Sequence, residues 1–207
     1  MSIHFQQEMT QLRKSVLGEG AVVEETISKA IAALLARDEQ LAEEVIGGDP
    51  EINRRQRAIE ADCLKILALY QPVARDLRFI VAVLKINSDL ERMGDHAVSI
   101  AKRARYLARH EPIFWPPELE TMADNVKSMV KRSLDALIVG DAALARQVCS
   151  EDDKIDRQKR SLSDALRDQL WEKAELRETI LKMIDVPRHL ERIADLATNV
   201  AEDVIHF

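Results

Sequence analysis

The chain holds 207 residues, 46% hydrophobic, 32% charged and only 4% aromatic, with 6 glycines and 6 prolines. That composition predicts helices and excludes sandwiches and barrels, which need frequent turns and β-branched or aromatic strands. A net charge of −6 excludes a general nucleic-acid binder, and no run approaches the ~20 apolar residues of a membrane span.

The opening octet, Met1 to Glu8, has neither a basic start nor an apolar core and is read as no export signal. A first helix is expected over about 5–36, with Gly18 and Gly20 a weak spot or kink. Asp38 marks a bend, after which Leu41, Ala42 and Val45 prolong the helical path until Gly47 and Gly48 stop it. Asp49 and Pro50 then open a second helix as cap and first residue, carried by Ile52, Ile59, Cys63, Ile66 and Leu67 toward Tyr70. Gln71 and Pro72 break the chain, and a third helix runs from about Val73 to Arg109. Pro112, Pro116 and Pro117 make a linker, and helices return at roughly 118–139, 141–171 and 175–206. Cys63 and Cys149 stand in no metal or redox spacing and read as buried apolar fillers in a cytoplasmic protein.

The return is a repeat. Shifted by 103 positions, Ala33-Leu34 meets Ala136-Leu137, Asp38 meets Asp141, Leu41-Ala42 meets Leu144-Ala145 and Ile52 meets Ile155. Farther along the interval is 100: Leu90-Glu91-Arg92 meets Leu190-Glu191-Arg192, and Asp95 meets Asp195. The expected fold is all-α, two tandem three-helix bundles over 1–110 and 118–207 with 111–117 as linker.

Glu91 and Asp95 lie four apart, as do Glu191 and Asp195, so each pair shares a helix face about a third of a turn from the apolar stripe. In the last helix Thr198, Asn199 and Glu202 extend that face. Each copy has a second oxygen-bearing pair, Asp49 with Asn53 and Asp152 with Asp156. Asp49 and Asp95 are equidistant from Pro72, and so are Asn53 and Glu91, so an antiparallel hairpin brings both pairs to one level, about 28 Å from the turn. In the second copy the same symmetry places the turn between Lys173 and Ala174. Height is fixed by this counting and helix rotation is not. Four acidic or amide oxygens without histidine or thiolate suit a hard or borderline cation such as Mg²⁺, Mn²⁺, Ca²⁺ or iron. The plain counter-reading is a solvated helix face, with Asp49 simply capping Pro50.

Other chemistries lack their residues. No glutamate has a histidine three positions on, which excludes a ferritin-like di-iron site, and there is no Gly-rich phosphate loop or nucleophile elbow. His96, His110, His189 and His206 read as surface residues, His189 beside Glu191 being the one that could help a site, and Met93, Met122, Met129 and Met183 as core. Arg92 and Arg192 read either as partners for carboxylates of neighbouring helices or as plain surface charge. A metal-dependent enzyme acting on phosphate esters or polyphosphate remains the alternative that the acids alone allow.

Gln71-Pro72-Val73-Ala74-Arg75-Asp76-Leu77-Arg78 and the stretch from Ile86 through Leu90-Glu91-Arg92-Met93-Gly94-Asp95 to Ala97 resemble the signature of the PhoU family. The run from Leu190 to Glu202 is similar to the family's second motif. The resemblance implies two bundles related by pseudo-two-fold symmetry, with metal held at the acidic motifs. Those are Asp49, Asn53, Glu91 and Asp95 in one bundle and Asp152, Asp156, Glu191, Asp195 and Asn199 in the other, with iron, Mn, Mg, Zn and Ca all open. It further implies a cytoplasmic, non-enzymatic, homodimeric negative regulator of the phosphate-starvation response and of phosphate uptake. Its partners would be the ATPase subunit of a phosphate ABC transporter and a sensor histidine kinase. Ser99, Lys102 and Asn53 stand where the second copy has Asn199, Glu202 and Asp156, so the first site is expected to be less negative and to bind metal more weakly.

Overall fold

The computed structural model describes residues 3–206, so the outer ends of the two expected units, at 1 and 207, and the first two residues of the opening octet lie outside the described residues. The fold is all-α. The first bundle is α1 (Ile3–Ala36), α2 (Glu39–Tyr70) and α3 (Ala74–Ala108). The second is α4 (Glu118–Val139), α5 (Ala142–Cys149), α6 (Asp152–Glu172), a 3-10 turn (Ala174–Leu176), α7 (Arg177–Met183) and α8 (Val186–Ile205). The arms of each bundle pack on one another, α1 touches α4, and α3 lies along α8, so the two motif-bearing helices form the seam between bundles. No helix is long and apolar enough to cross a membrane.

Burial explains where local signals mislead. Gly18 and Gly20 interrupt nothing: α1 is continuous, and a Cβ on Gly20 would stand 3.0 Å from Leu134, so this glycine lets α1 approach α4. Gly47-Gly48 and Asp49-Pro50 do not divide α2 either. Ala42, Val45, Ile52 and Ile59 form one buried stripe across that point, while both glycines and Pro50 are exposed. The amide missing at Pro50 therefore faces water, and packing of the stripe holds the helix through it. The second copy does break there, between α5 and α6, where Ser150 Oγ donates to the Gln147 carbonyl at 2.7 Å. Its last arm, expected as one helix over 175–206, also breaks before α8, with Pro187 in the first turn. Asn87, the counterpart of Pro187, sits inside an unbroken α3 and donates to the Gln56 carbonyl at 2.9 Å.

The methionines behave as core: Met93, Met122, Met129 and Met183 are fully buried, as are Leu190, Ile193, Ala197, Val200 and Ala201 of the α8 stripe. Cys63 is buried and Cys149 only half-buried, both as free thiols.

Candidate metal sites on the acidic faces

Two contacts fix the register of the α2–α3 hairpin. Besides Asn87 to Gln56, a Cβ on Gly94 would stand 3.1 Å from Ile52, so α2 and α3 approach closely between Glu91 and Asp95. Both contacts join residues at nearly equal distances from Pro72, the level rule that the sequence supplies. Asp49 lies inside α2 and caps nothing, so its carboxylate is free for the cluster. Asn53 Nδ2 donates to Asp49 Oδ2 at 3.3 Å and to its carbonyl at 3.2 Å.

The acids of the two arms lie within electrostatic reach of one another. Burial, then Asp95 and Asp49, hold the Glu91 carboxyl above its usual range; burial and Asp49 do the same to Asp95. In the second bundle burial, Asp156, Asp153 and Glu191 raise Asp152, and burial, Glu191 and Asp152 raise Asp195. Each bundle thus brings acids of its second and third arms together.

The two clusters differ in what neutralises them. Lys159 Nζ lies 3.2 Å from Glu191, Arg192 lies 3.0 Å from Asp195 and Arg160 lies 3.7 Å from Asp156, while Thr198 Oγ1 donates to Asp152 at 3.3 Å. Asp49, Glu91 and Asp95 carry no Lys or Arg ion pair among the described residues. Asn199 lies at the seam, beside Asp152 and Asp195 of its own set on one side and near Asp89 of α3 on the other. The motif arginines pair along their own helices, Arg92 with Asp89 at 3.5 Å and Arg192 with Asp195, and not with neighbouring helices. His96 and His189, read as surface residues, are half-buried and meet across the seam with Nδ1 atoms 3.1 Å apart. Burial and the nearby His189, Arg92, Arg192 and Arg188 push His96 down to about 4. Sequence reasoning missed this seam pair, Asp89 and Lys159, because the repeat describes each bundle and not how the two dock.

Among the described residues no three His, Cys, Asp or Glu side chains stand close enough to hold one ion as placed. The donor chemistry nonetheless fits a hard cation: carboxylates at one level, raised by burial and then by their mutual repulsion, both of which a cation would offset.

Two like helical bundles packed along their motif helices, each with an acidic face where its second and third arms meet, define a tandem helical-bundle protein with paired carboxylate clusters. The chain belongs to the PhoU family: the PhoU domain matches residues 16–104 and again 119–204. It is 37% identical over 207 residues to a "phosphate-specific transport system accessory protein PhoU homolog" of Pseudomonas putida, covering 100% of this chain and 81% of that one. A homolog of the same description from Clostridium acetobutylicum is 37% identical over 98% of this chain and 93% of its own. The crystal structure of PhoU from Pseudomonas aeruginosa superposes with a TM-score of 0.94 at 36% identity, covering 98% of this chain and 97% of that one. That of the phosphate transport system regulatory protein PhoU from Streptococcus pneumoniae gives 0.90 at 35% identity, covering 98% and 95%.

Proposed function

We propose that the chain is a non-enzymatic accessory protein of a phosphate-specific transport system, acting in the cytoplasm to restrain phosphate uptake and the phosphate-starvation response. The observation that carries this is end-to-end similarity to proteins described as phosphate-specific transport system accessory proteins, over both bundles and both motifs. In this reading the protein is an adaptor, likewise able to self-associate, between the transporter's ATPase subunit and a sensor histidine kinase. Pull-down of each purified partner domain tests it at high and low phosphate. Capture that changes with phosphate supports the adaptor, and capture of neither partner at any phosphate level removes it.

The acidic faces are proposed to hold a divalent or trivalent cation: Asp49, Asn53, Glu91 and Asp95 in the first bundle, Asp152, Asp156, Glu191, Asp195 and Asn199 in the second. The ion would supply charge neutralisation and cross-link two helices. The ion pairs support the first bundle as the site that fills first, although its formal charge is lower, because Lys159, Arg160 and Arg192 already occupy the second. Calorimetric titration with Mn²⁺ is expected to lose its tighter site in Glu91→Gln/Asp95→Asn and to keep it in Glu191→Gln/Asp195→Asn. Equal, unchanged isotherms for both variants would remove the metal reading.

A further inference from the structure

On the second acidic face, where α3 lies along α8, a single hollow of about 400 Å³ opens to water. Its charged lining is three carboxylates, Asp152, Asp195 and Glu202, and two guanidiniums, Arg92 of α3 and Arg192 of α8. The two arginines are repeat counterparts, one hundred residues apart, and each comes from a different bundle. Both are loosely engaged. Arg92 reaches Asp89 only at 3.5 Å, Arg192 reaches Asp195 at 3.0 Å, and their side chains are 57% and 49% exposed.

The carboxylates here make an incomplete cage. Among the described residues no three acids, histidines or thiols stand close enough to hold one ion as placed, so a cation on Asp152 and Asp195 keeps open positions. Hard divalent cations held by one or two carboxylates fill such positions with water or with phosphate oxygens. Charge points to the second. Three carboxylates against two guanidiniums leave the lining with one net negative charge, and a divalent cation turns that into one net positive charge. The same cation competes with Arg192 for Asp195, and a guanidinium freed from its carboxylate matches a tetrahedral oxyanion with its planar fork. The first cluster has no such need, since Asp49, Glu91 and Asp95 hold no Lys or Arg pair among the described residues. It also lacks the neutral donors of this hollow: Val98 and Ser99 stand in place of Thr198 and Asn199.

We propose that the seam hollow binds a small tetrahedral oxyanion, inorganic phosphate, together with the cation of the second cluster. Asp152 and Asp195 hold the cation, and Arg92 and Arg192 hold the oxyanion, one arginine from each bundle. The inference rests on the cation reading of the acidic faces and deepens it by naming what the second face takes up with its ion. Because the two ligands share one site, each raises the affinity for the other by the same factor. The oxyanion also bridges α3 and α8, so its occupancy is felt at the seam between bundles.

Equilibrium dialysis of radiolabelled inorganic phosphate against the full chain, with and without Mn²⁺, reads the site, while electron paramagnetic resonance counts free Mn²⁺. Saturable phosphate retention is expected with Mn²⁺ and retention roughly tenfold or more weaker without it, and phosphate is expected to tighten Mn²⁺ binding by the same factor. Sulfate should compete and chloride should not. Arg92→Gln and Arg192→Gln, both at exposed positions, are each expected to weaken phosphate retention roughly tenfold or more. Arg92→Lys, which keeps the charge without the fork, should recover part of the loss. Arg192→Gln should at the same time tighten Mn²⁺ binding in the absence of phosphate, because it releases Asp195; a merely structural arginine would not move the two readouts in opposite directions. Arg167→Gln on the outer face of α6 should change neither. Manganese uptake with no gain in phosphate retention overturns this inference and leaves the cation reading intact. So does retention that survives both glutamine variants, or displacement by chloride as readily as by sulfate. Tighter retention of phosphoserine than of inorganic phosphate overturns it too, since the site would then serve a phosphoryl group carried on a protein. No manganese uptake at all sinks the cation reading and this inference with it.

Discussion

Glu19 occupies a core position that its repeat counterpart, 103 residues on, fills with Met122; both are fully buried. Neither carboxyl oxygen of Glu19 has a hydrogen-bond partner, and burial, only partly offset by Arg55, raises the group to about 7. The native state therefore keeps its proton while the unfolded chain loses it near the ordinary glutamate value. The Glu19 share of stability is fully present below about pH 4.5, falls as pH rises toward 7, and is constant above that, a loss of up to about 3 kcal/mol. Glu19→Met, which copies the second bundle's own solution, is expected to raise Tm at pH 8 by roughly 5 °C and to flatten the slope between pH 4.5 and 7. Thermal melts across that range check it; an unchanged slope, or a lower Tm at pH 8, would show that the carboxyl finds a partner in solution.

The second arms show how one local signal gives two outcomes at the scale of an element. Gly47, Gly48 and Pro50 lie inside a continuous α2, and no atom stands within 4 Å of a Cβ built on either glycine. Mid-helix glycine on an open face carries an entropic cost with no packing return. Gly47→Ala/Gly48→Ala should therefore stabilise the chain by about 1–2 kcal/mol without altering metal or partner binding. Urea denaturation measures this, and a loss of stability would mean that the glycines permit a bend α2 needs. The heights of Asp49, Asn53, Glu91 and Asp95 were legible in the sequence, because counting outward from Pro72 needs only a constant rise per residue. Helix ends were less so: Pro50 is carried through by a buried stripe on the opposite face, whereas Pro187 starts a new helix, and local residue types do not encode that difference. Rotation was not legible either, which is why Lys159 beside Glu191 and the His96–His189 contact came only from the packed structure.

Across the whole molecule, the seam of α3 on α8 carries the pseudo-two-fold relation in its charges. Lys85 pairs with Asp203 at 3.3 Å; moving each partner by one hundred residues gives Asp185 and Arg103, which pair through two bonds of 2.9 and 2.6 Å. Symmetry preserves the pairing and reverses the charge at equivalent positions, so the first bundle contributes both cations to the seam and the second both anions. Asp185 is desolvated there, yet His189 and Arg103 outweigh that and hold its carboxyl below the usual range. Its stabilising share is present above the ordinary aspartate value and is lost as pH falls through the acid range. Arg103 and Asp185 are each about one-third exposed, so water screens the pair and its net worth is about 1 kcal/mol. Arg103→Glu sets two carboxylates together and should cost about 1–2 kcal/mol, while Arg103→Glu/Asp185→Arg, which rebuilds the pair with its polarity exchanged, should recover most of it. The recovery separates direct attraction from a general effect of charge, since both variants leave the bundle cores untouched. In denaturant the single variant should also broaden the transition if the seam couples the two bundles, and the double variant should sharpen it again. Equal instability of single and double variants would mean that the seam is held by its apolar contacts and that the mirrored ion pairs decorate it.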